Sequence, residues 1–423
     1  MNTPNSPIKS FFDLVIIGAS YTGLTLSIAL KQAIPQLQIL LIDKEDDANQ
    51  KKDVRAFALT PANITMLMQL NLWESFSQNS QAIQQMIITD SRTKDPIRPP
   101  LLTFSTPLPS QKNASSSSKH DSLAYMIEAS LLKDALCKKV EELGGNVIKG
   151  EEIGAFHYKE HSLLIPLPSC QKEIETKLLV AATGGTSSLR KKAGIKMHSM
   201  PYNQTGIVCI IEHEKDHKGR AIQHFLPSGP LALLPLKGKR SAVVWNEPPA
   251  SAHELIKASE DDFIATLAQR VTPLLGNIAL ASSIQSFPFS LRLARDFVKP
   301  RFALLGDAAH SIHPISGQGL NLGLYDVAAL SEAIVDHKRI GLDIGSQSCL
   351  SAYQSNRWLE TFKVAKTTHF LNKLFSNDIT PLRMVRDVGL GIVDRSEFIK
   401  RYFIHQASGP TKHLPRLLKG QAL

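Results

Sequence analysis

The sequence predicts an α/β fold: a Rossmann-like parallel sheet, an inserted mixed or antiparallel sheet, and a helical C-terminal region. Three observations carry that expectation. The first 43 residues read as strand, helix, strand around a glycine turn. Between Gly206 and Trp245 the chain changes to short β-rich runs separated by Gly, Pro and Lys. A further apolar run, Phe302 to Leu305, ends at Gly306-Asp307 ahead of a long apolar stretch, Leu320 to Val335.

Phe12 to Ile17 is a short apolar run with β-branched residues, the pattern of a parallel strand buried on both faces. Tyr21 to Ala33 reads as a helix stopped near Pro35, and Leu37 to Ile42 as a second buried strand. Strand, helix and strand within about 30 residues make a βαβ unit, whose crossover is expected to be right-handed. Leu101 to Lys119 is rich in Pro and Ser and reads as an exposed loop. Leu131 to Leu143 has helical periodicity and stops at Gly144-Gly145, and Leu178 to Ala182 is a buried strand running into Gly184. Ile207 to Ile211 and Ser241 to Trp245 are expected in an antiparallel sheet. Leu320 to Val335 is a long apolar helix, and helical segments continue from Leu350, broken at Pro381 and Gly389.

At 423 residues the chain exceeds the ~250–300 residues at which a single core stops growing, so two or three interleaved domains are expected. Hydrophobic residues are 43% and charged residues 20%, ordinary for a soluble globular protein. The formal charge is +10, and Ser351 to Leu423 holds 12 Lys/Arg against 5 Asp/Glu, a net +7. A basic end of that kind suits either a solvated helical face or an anionic membrane surface. No nucleic-acid-reading motif accompanies it, so nucleic acid is not an expected partner. Cys137, Cys170, Cys209 and Cys349 are scattered, which argues against a zinc site or disulfide framework and fits a cytoplasmic location. No run of about 18 apolar residues reads as a membrane span. Asp13 and the glycine turn interrupt the apolar N-terminus, so no secretory leader is expected.

Two motifs carry chemistry. The first is Gly18-Ala19-Ser20-Tyr21-Thr22-Gly23, between strand and helix. A dinucleotide fingerprint needs three glycines here: for the turn, for approach of backbone to pyrophosphate, and for helix–strand packing. Ser20 replaces the second, and its hydroxyl is a candidate phosphate donor. The helix N-terminus behind it offers N–H groups and positive potential to an anion. Asp43 ends the second strand, where an acid binds a ribose hydroxyl. A hydrolase nucleophile elbow needs G-x-S-x-G, and here the glycine falls one residue late.

The second motif is Gly306-Asp307-Ala308-Ala309-His310, then His313-Pro314, then Gly317-Gln318-Gly319-Leu320-Asn321. Asp307 follows a buried strand and is placed to accept sugar or ribityl hydroxyls. Gly317 and Gly319 let backbone N–H groups approach a flat ring, and the following helix aims its positive end at it. The spacing of Asp307, His310 and His313 also resembles metal ligands on one helix face, but Pro314 and the glycines oppose a continuous helix, so no metal is expected.

The stretch Gly306 to Leu330 resembles the second FAD motif of the aromatic-hydroxylase flavoproteins. More of the chain is similar to their ubiquinone-biosynthesis branch: Arg55-Ala56-Phe57-Ala58-Leu59, Leu70-Asn71-Leu72-Trp73, Leu123 to Glu128, Tyr202-Asn203-Gln204, Gly229 to Leu236, Val243-Val244-Trp245, Leu374 to Asn377, Pro381-Leu382-Arg383 and Gly389-Leu390. The resemblance implies FAD as cofactor, NAD(P)H as electron donor, O2 as co-substrate, and hydroxylation of a polyprenylated phenol through a flavin C4a-hydroperoxide. It implies that Arg55 lies along the pyrophosphate and ribityl, that Asp307 binds the ribityl, and that Pro314 to Asn321 line the isoalloxazine. It further implies an FAD-binding domain of residues 1–80, 120–190 and 283–345, a substrate domain of 81–119 and 191–282, and a helical region of 346–423. The polyprenyl tail suggests a peripheral position on the inner face of a membrane.

The sequence departs from the family at Ser20, at Thr183-Gly184 (usually Asp-Gly), and at Ala129-Ser130 (usually Asn-Arg). These departures support one alternative, a weakly active or non-catalytic FAD-binding member of a ubiquinone-synthesis assembly; the alternative among enzymes is an isoprenoid flavin reductase. No residue stands out as acid or base; Pro314 and His224, within Gln223-His224-Phe225, are the candidates.

Overall fold

A computed structural model describes residues 10–45, 53–91, 100–105, 122–376, 394 and 414–423. Among these residues, eight strands form a sheet whose continuous order is Val298–Lys299, Phe302–Leu304, Lys172–Ala181, Phe11–Ile17, Ile39–Ile42, Asn146–Ile148. The five strands from Phe302–Leu304 to Asn146–Ile148 pair in parallel, in four successive pairs. Their side chains are buried almost throughout, six of seven in Phe11–Ile17 and all four in Ile39–Ile42. That is why these segments read as continuous apolar runs rather than alternating ones. The helix Tyr21–Ala33 connects the first two strands, with the predicted bounds. It packs against the 22-residue helix Gln318–Arg339, which in turn packs against the 29-residue helix Gln347–Phe375.

A second sheet, of nine strands among the described residues, runs in the order His310–Ser311, Gln285–Ala294, Met197–His213, Arg240–Glu247, Leu231–Leu236, Arg220–Phe225, Gln85–Asp90, Leu102–Ser105, with Ile278–Leu280 beside Met197–His213. It is antiparallel except for one parallel pair, Arg220–Phe225 with Gln85–Asp90. Ile207, Ile222, Leu233 and Trp245 on one face pack under the helices Pro249–Lys257 and Glu260–Leu275 through Ala252, Phe263, Leu267 and Val271. A small sheet of Ala56–Leu59, Ala124–Glu128 and Gln81–Ile83 bridges the two large ones, and Glu128 reaches the second sheet through a 2.8 Å ion pair with Arg240.

One expectation is corrected. Leu101 to Lys119 is not all loop: Leu102–Ser105 is an edge strand paired with Gln85–Asp90. The Ser-rich remainder lies outside the described residues, as do the breaks at Pro381 and Gly389 and the resemblances at Asn377, Pro381-Leu382-Arg383 and Gly389-Leu390. No described helix is long and apolar enough to cross a membrane.

Candidate active site

Strand Phe11–Ile17 delivers Gly18 to the carboxyl edge of the parallel sheet, where open α/β sheets bind ligands. Gly18 has φ +105°, and a Cβ there would lie 2.5 Å from the Ala182 carbonyl oxygen. A Cβ on Gly23 would lie 2.2 Å from the Gly18 oxygen, so that glycine sets the close approach of helix to turn. Ser20 is the helix N-cap: its Oγ accepts from the Gly23 amide at 3.2 Å and lies 3.1 Å from Thr22 Oγ1. Accepting this bond caps the helix, a role worth about 1 kcal/mol, and leaves the hydroxyl hydrogen as a donor. Asp43 accepts from the Ala19 amide at 2.8 Å and the Glu45 amide at 3.1 Å, which fixes its carboxylate beside the turn while each oxygen keeps a lone pair for a sugar hydroxyl. Lys133, on helix Ala129–Glu142, donates to the Ala19 carbonyl and places a cation at the same turn.

The second turn comes from strand Phe302–Leu304. Gly306 takes φ +58°. Asp307 projects into a cavity and is exposed to it, and desolvation by the protein packed around it pushes its carboxyl above the usual range. Asp326 supports the turn from below. It is fully buried, accepting from His310 Nε2 at 2.5 Å, from the Gly306 amide at 3.3 Å and from Arg357 Nε at 2.8 Å. Burial raises its carboxyl, but His310 and Arg357 overcome this and hold it below the usual range. Gly317 is left-handed at φ +61° and caps helix Gln318–Arg339. Arg190 ties this second turn to the Thr183–Gly185 segment after strand Lys172–Ala181, donating to the carbonyls of Gly185 at 3.2 Å and Ala308 at 3.0 Å.

These turns line one cavity of about 2010 Å³. That is twice the upper end of an ordinary ligand pocket, ~1,000 Å³, enough for a nucleotide cofactor and a second ligand together. Gly18, Ser20, Asp43, Arg55, Thr183, Gly184, Gly306, Asp307, Pro314, Gly317, Gln318, Gly319 and Leu320 all contribute to its wall. Arg55 is held by a bidentate pair with Asp53 at 2.7 and 2.9 Å and lies over the rings of Phe57 and Phe287. Tyr21 Oη donates to the same Asp53 at 2.9 Å.

Three predicted residues are placed elsewhere. Gly23 lies behind the wall in helix packing. Asn321 is 1% exposed and clasps the helix start to a distant segment: its amide oxygen accepts from the Thr60 amide at 3.0 Å and from Asn63 at 2.7 Å, and its nitrogen donates to the Ala58 carbonyl at 2.8 Å. It therefore shapes the loop without lining the cavity. His224 points to the opposite face of its strand, fully buried, with Thr89 Oγ1 at Nδ1 and Ser91 Oγ 2.8 Å from Nε2. Strand alternation instead turns its neighbours Gln223 and Phe225 into the cavity. Asp307, His310 and His313 do not share a helix face: His310 turns to Asp326, and His313 Nε2 lies 2.9 Å from Gln204 Oε1. Among the described residues no group of His, Cys, Asp or Glu is placed to hold a metal ion.

The wall suits a flavin nucleotide. Thr183 Oγ1, at the position of the family's usual aspartate, is buried without a hydrogen-bond partner, as expected of a hydroxyl awaiting a ligand oxygen. A Cβ at Gly184 or Gly319 would meet only open space, so backbone there is exposed to a ligand. The N-termini of helices Tyr21–Ala33 and Gln318–Arg339 both open onto the cavity, one suited to pyrophosphate and one to the electron-rich edge of a ring.

Comparison with known proteins agrees. The model of the FAD binding domain family matches residues 12–367. The chain is 33% identical over 418 residues to ubiquinone hydroxylase UbiL of Rhodospirillum rubrum, covering 97% of this chain and 93% of that protein. It is 29% identical over 409 residues to 3-demethoxyubiquinol 3-hydroxylase of Escherichia coli, covering 94% and 98%. The fold matches that of p-nitrophenol 4-monooxygenase PnpA from Pseudomonas putida with TM-score 0.76 at 16% identity, covering 95% and 99%. The chain belongs to the FAD binding domain family of FAD-dependent monooxygenases, in the branch that contains the ubiquinone-biosynthesis hydroxylases.

Proposed function

We propose that the protein hydroxylates the aromatic ring of a polyprenylated phenol or benzoquinol intermediate of ubiquinone biosynthesis. In the balanced reaction NAD(P)H, a proton, O2 and the ring C–H become NAD(P)+, water and the ring C–OH. The observation that supports this most is the cavity's second half. Beyond the two cofactor turns its wall is the inner face of the nine-stranded sheet, with Met86, Ile88, Val208, Ala221, Leu234 and Val244 among its side chains. An apolar chain and ring fit that surface, and a charged or sugar-like substrate does not.

When bound, FAD supplies the two-electron reduction and the activation of oxygen. The chain's own residues do the rest. Asp43 and Asp307 are proposed to hold the ribose and ribityl hydroxyls, and Thr183 to meet a ligand oxygen. Arg55 and Lys133 set positive charge along the pyrophosphate, and the amides of Gly317 to Leu320 face the ring. The apolar floor and Pro314 exclude water from the reacting centre. On this reading residues 1–80, 120–190 and 283–345 form the FAD-binding domain, 81–119 and 191–282 the substrate domain, and 346–423 a helical region.

A membrane-resident tail requires access to lipid. The outer face of helix Gln347–Phe375 exposes Leu359, Phe362 and Phe370, with Lys363 and Lys366 on the same side. At the C-terminal end of that helix Leu371, Leu374 and Phe375 enter the cavity wall. We assign this face to an anionic membrane surface. Co-sedimentation with phosphatidylglycerol vesicles is expected for the full chain and lost in Phe370→Asp/Lys366→Glu; equal sedimentation of both overturns the assignment.

The function itself is tested by incubating the FAD-loaded protein with NADH or NADPH, 2-geranylphenol and 18O2. The expected product carries one 18O on the ring. A yellow protein that gives no labelled product with prenylphenols, whatever the donor, favours the non-catalytic role in an assembly, to which the departures at Ser20, Thr183 and Ala129 point. Donor oxidation coupled to saturation of the isoprenoid chain favours the reductase.

A further inference from the structure

We infer that Gln223 recognises the oxygen on the substrate ring and so selects a phenol or quinone over a plain hydrocarbon. This rests on the function proposed above and names the group that confers its selectivity.

Strand Arg220–Phe225 lies inside the second sheet, between Leu231–Leu236 and Gln85–Asp90. Its alternation places Gln223 on the cavity side, 7% exposed. The cross-strand partners of Gln223 are Ala232 on one side and Ile88 on the other, both lining the cavity. Among the described residues of the six strands Gln85–Asp90, Leu102–Ser105, Met197–His213, Arg220–Phe225, Leu231–Leu236 and Arg240–Glu247, Gln223 is the single polar side chain in the cavity wall. Its amide has no hydrogen-bonding partner among the described groups. A ligand that covers this amide must replace the hydrogen bonds it makes to water in the open cavity, or leave it unpaired at a cost.

Its position suits a ring held against the flavin loop. Phe225, two residues along the strand, stacks on Phe375 at 4.1 Å and packs with Ile315, the residue after Pro314. Two residues of strand span about 6.6 Å, so Gln223 lies about that far along the strand from the residue that packs on Ile315. The small Ala232 beside it leaves room above the sheet. A carboxamide offers two N–H donors and a carbonyl acceptor. It can therefore accept from a phenol O–H, donate to a phenolate or quinone oxygen, and remain uncharged among apolar neighbours.

The test compares 2-geranylphenol with geranylbenzene, the same molecule without the hydroxyl, as ligands of the FAD-loaded protein, read from perturbation of the flavin absorption band. The wild-type protein is expected to prefer the phenol by about tenfold, the discrimination one buried hydrogen bond provides. Gln223→Leu is expected to bind the two ligands equally, with FAD affinity unchanged. Gln223→Met, of equal length and apolar, serves the same purpose if leucine disturbs the sheet. Gln285→Leu, altered on the same cavity wall, is expected to keep the preference. A Gln223 variant that retains the tenfold preference overturns the assignment while leaving the hydroxylase reading intact. A wild-type protein that binds FAD but neither ligand overturns the hydroxylase reading, and this inference with it.

Discussion

Replacing Arg357 by methionine should weaken the protein in a way that depends on pH. Arg357 and Asp326 are each at most 1% exposed and meet at 2.8 Å, and Asp326 also holds His310 and the Gly306 amide. Methionine fills similar volume but leaves a buried carboxylate short of its cation. Breaking a buried pair from one side costs about 3–5 kcal/mol. At roughly 2.1 cal/mol/K per residue, unfolding 423 residues as one unit has an entropy near ~0.9 kcal/mol/K, so Tm falls by ~3–6 °C. The sign of the pH effect separates lost charge pairing from lost packing. In the wild type His310 and Arg357 hold the Asp326 carboxyl low against burial, so its contribution persists at neutral pH and disappears only below the usual carboxylate range. In the variant burial prevails and the folded carboxyl moves up. Its destabilisation is then full at pH 7.5 and shrinks as the pH falls and the carboxyl takes a proton. Differential scanning of FAD-loaded protein at pH 7.5 and 5 measures this. The double variant Asp326→Leu/Arg357→Met should recover at least half of the loss. An unchanged Tm, or a loss equal at both pH values, would refute the reasoning.

Three further outcomes follow from the site. Thr183→Val removes a buried, unpartnered hydroxyl; the flavin-free protein should gain about 1 kcal/mol while FAD binds about tenfold more weakly, and opposite signs in thermal melts and FAD titrations check it. Burial, with the nearby His369 charge, pushes the fully buried His313 down to about 4, so the unfolded chain takes up a proton first as pH falls below about 6.5. Stability should decline between there and about pH 4 by up to ~3 kcal/mol, and denaturant melts of His313→Asn should flatten that decline. Ala232→Trp fills the apolar floor without touching the cofactor turns, and should abolish 2-geranylphenol binding while FAD still binds with wild-type affinity.

What was legible in the sequence was local. Helix Tyr21–Ala33 and the turns at Gly18 and Gly306 are marked by apolar runs meeting glycine and an acid within a few residues. The edge strand Leu102–Ser105 was hidden because four residues at the border of a Pro- and Ser-rich stretch carry little pattern. The side to which His224 points is not legible in the sequence: both faces of that strand are covered, one by helices and one by the cavity, so no polar–apolar alternation shows which side faces in. Asn321 was read as a ring contact because it sits in the motif, yet its partners are the backbones of Ala58 and Thr60 and the side chain of Asn63, far away in sequence. Arg190, Asp326 and Arg357 are invisible for the same reason. The capping role of Ser20 is legible in the sequence, since serine ahead of a helix is an N-cap signal.

Flavin binding on this fold requires two turns, nearly 300 residues apart in the chain, to converge on one ligand. A titration of flavin-stripped protein with FAD, followed by visible absorption, tests this most directly when run on the wild type, Asp43→Ala and Asp307→Ala. Saturation at one FAD per chain, with each variant weakened about tenfold or more, is the predicted result. A colourless protein that takes up no FAD, or an affinity that only one of the two aspartates affects, contradicts it.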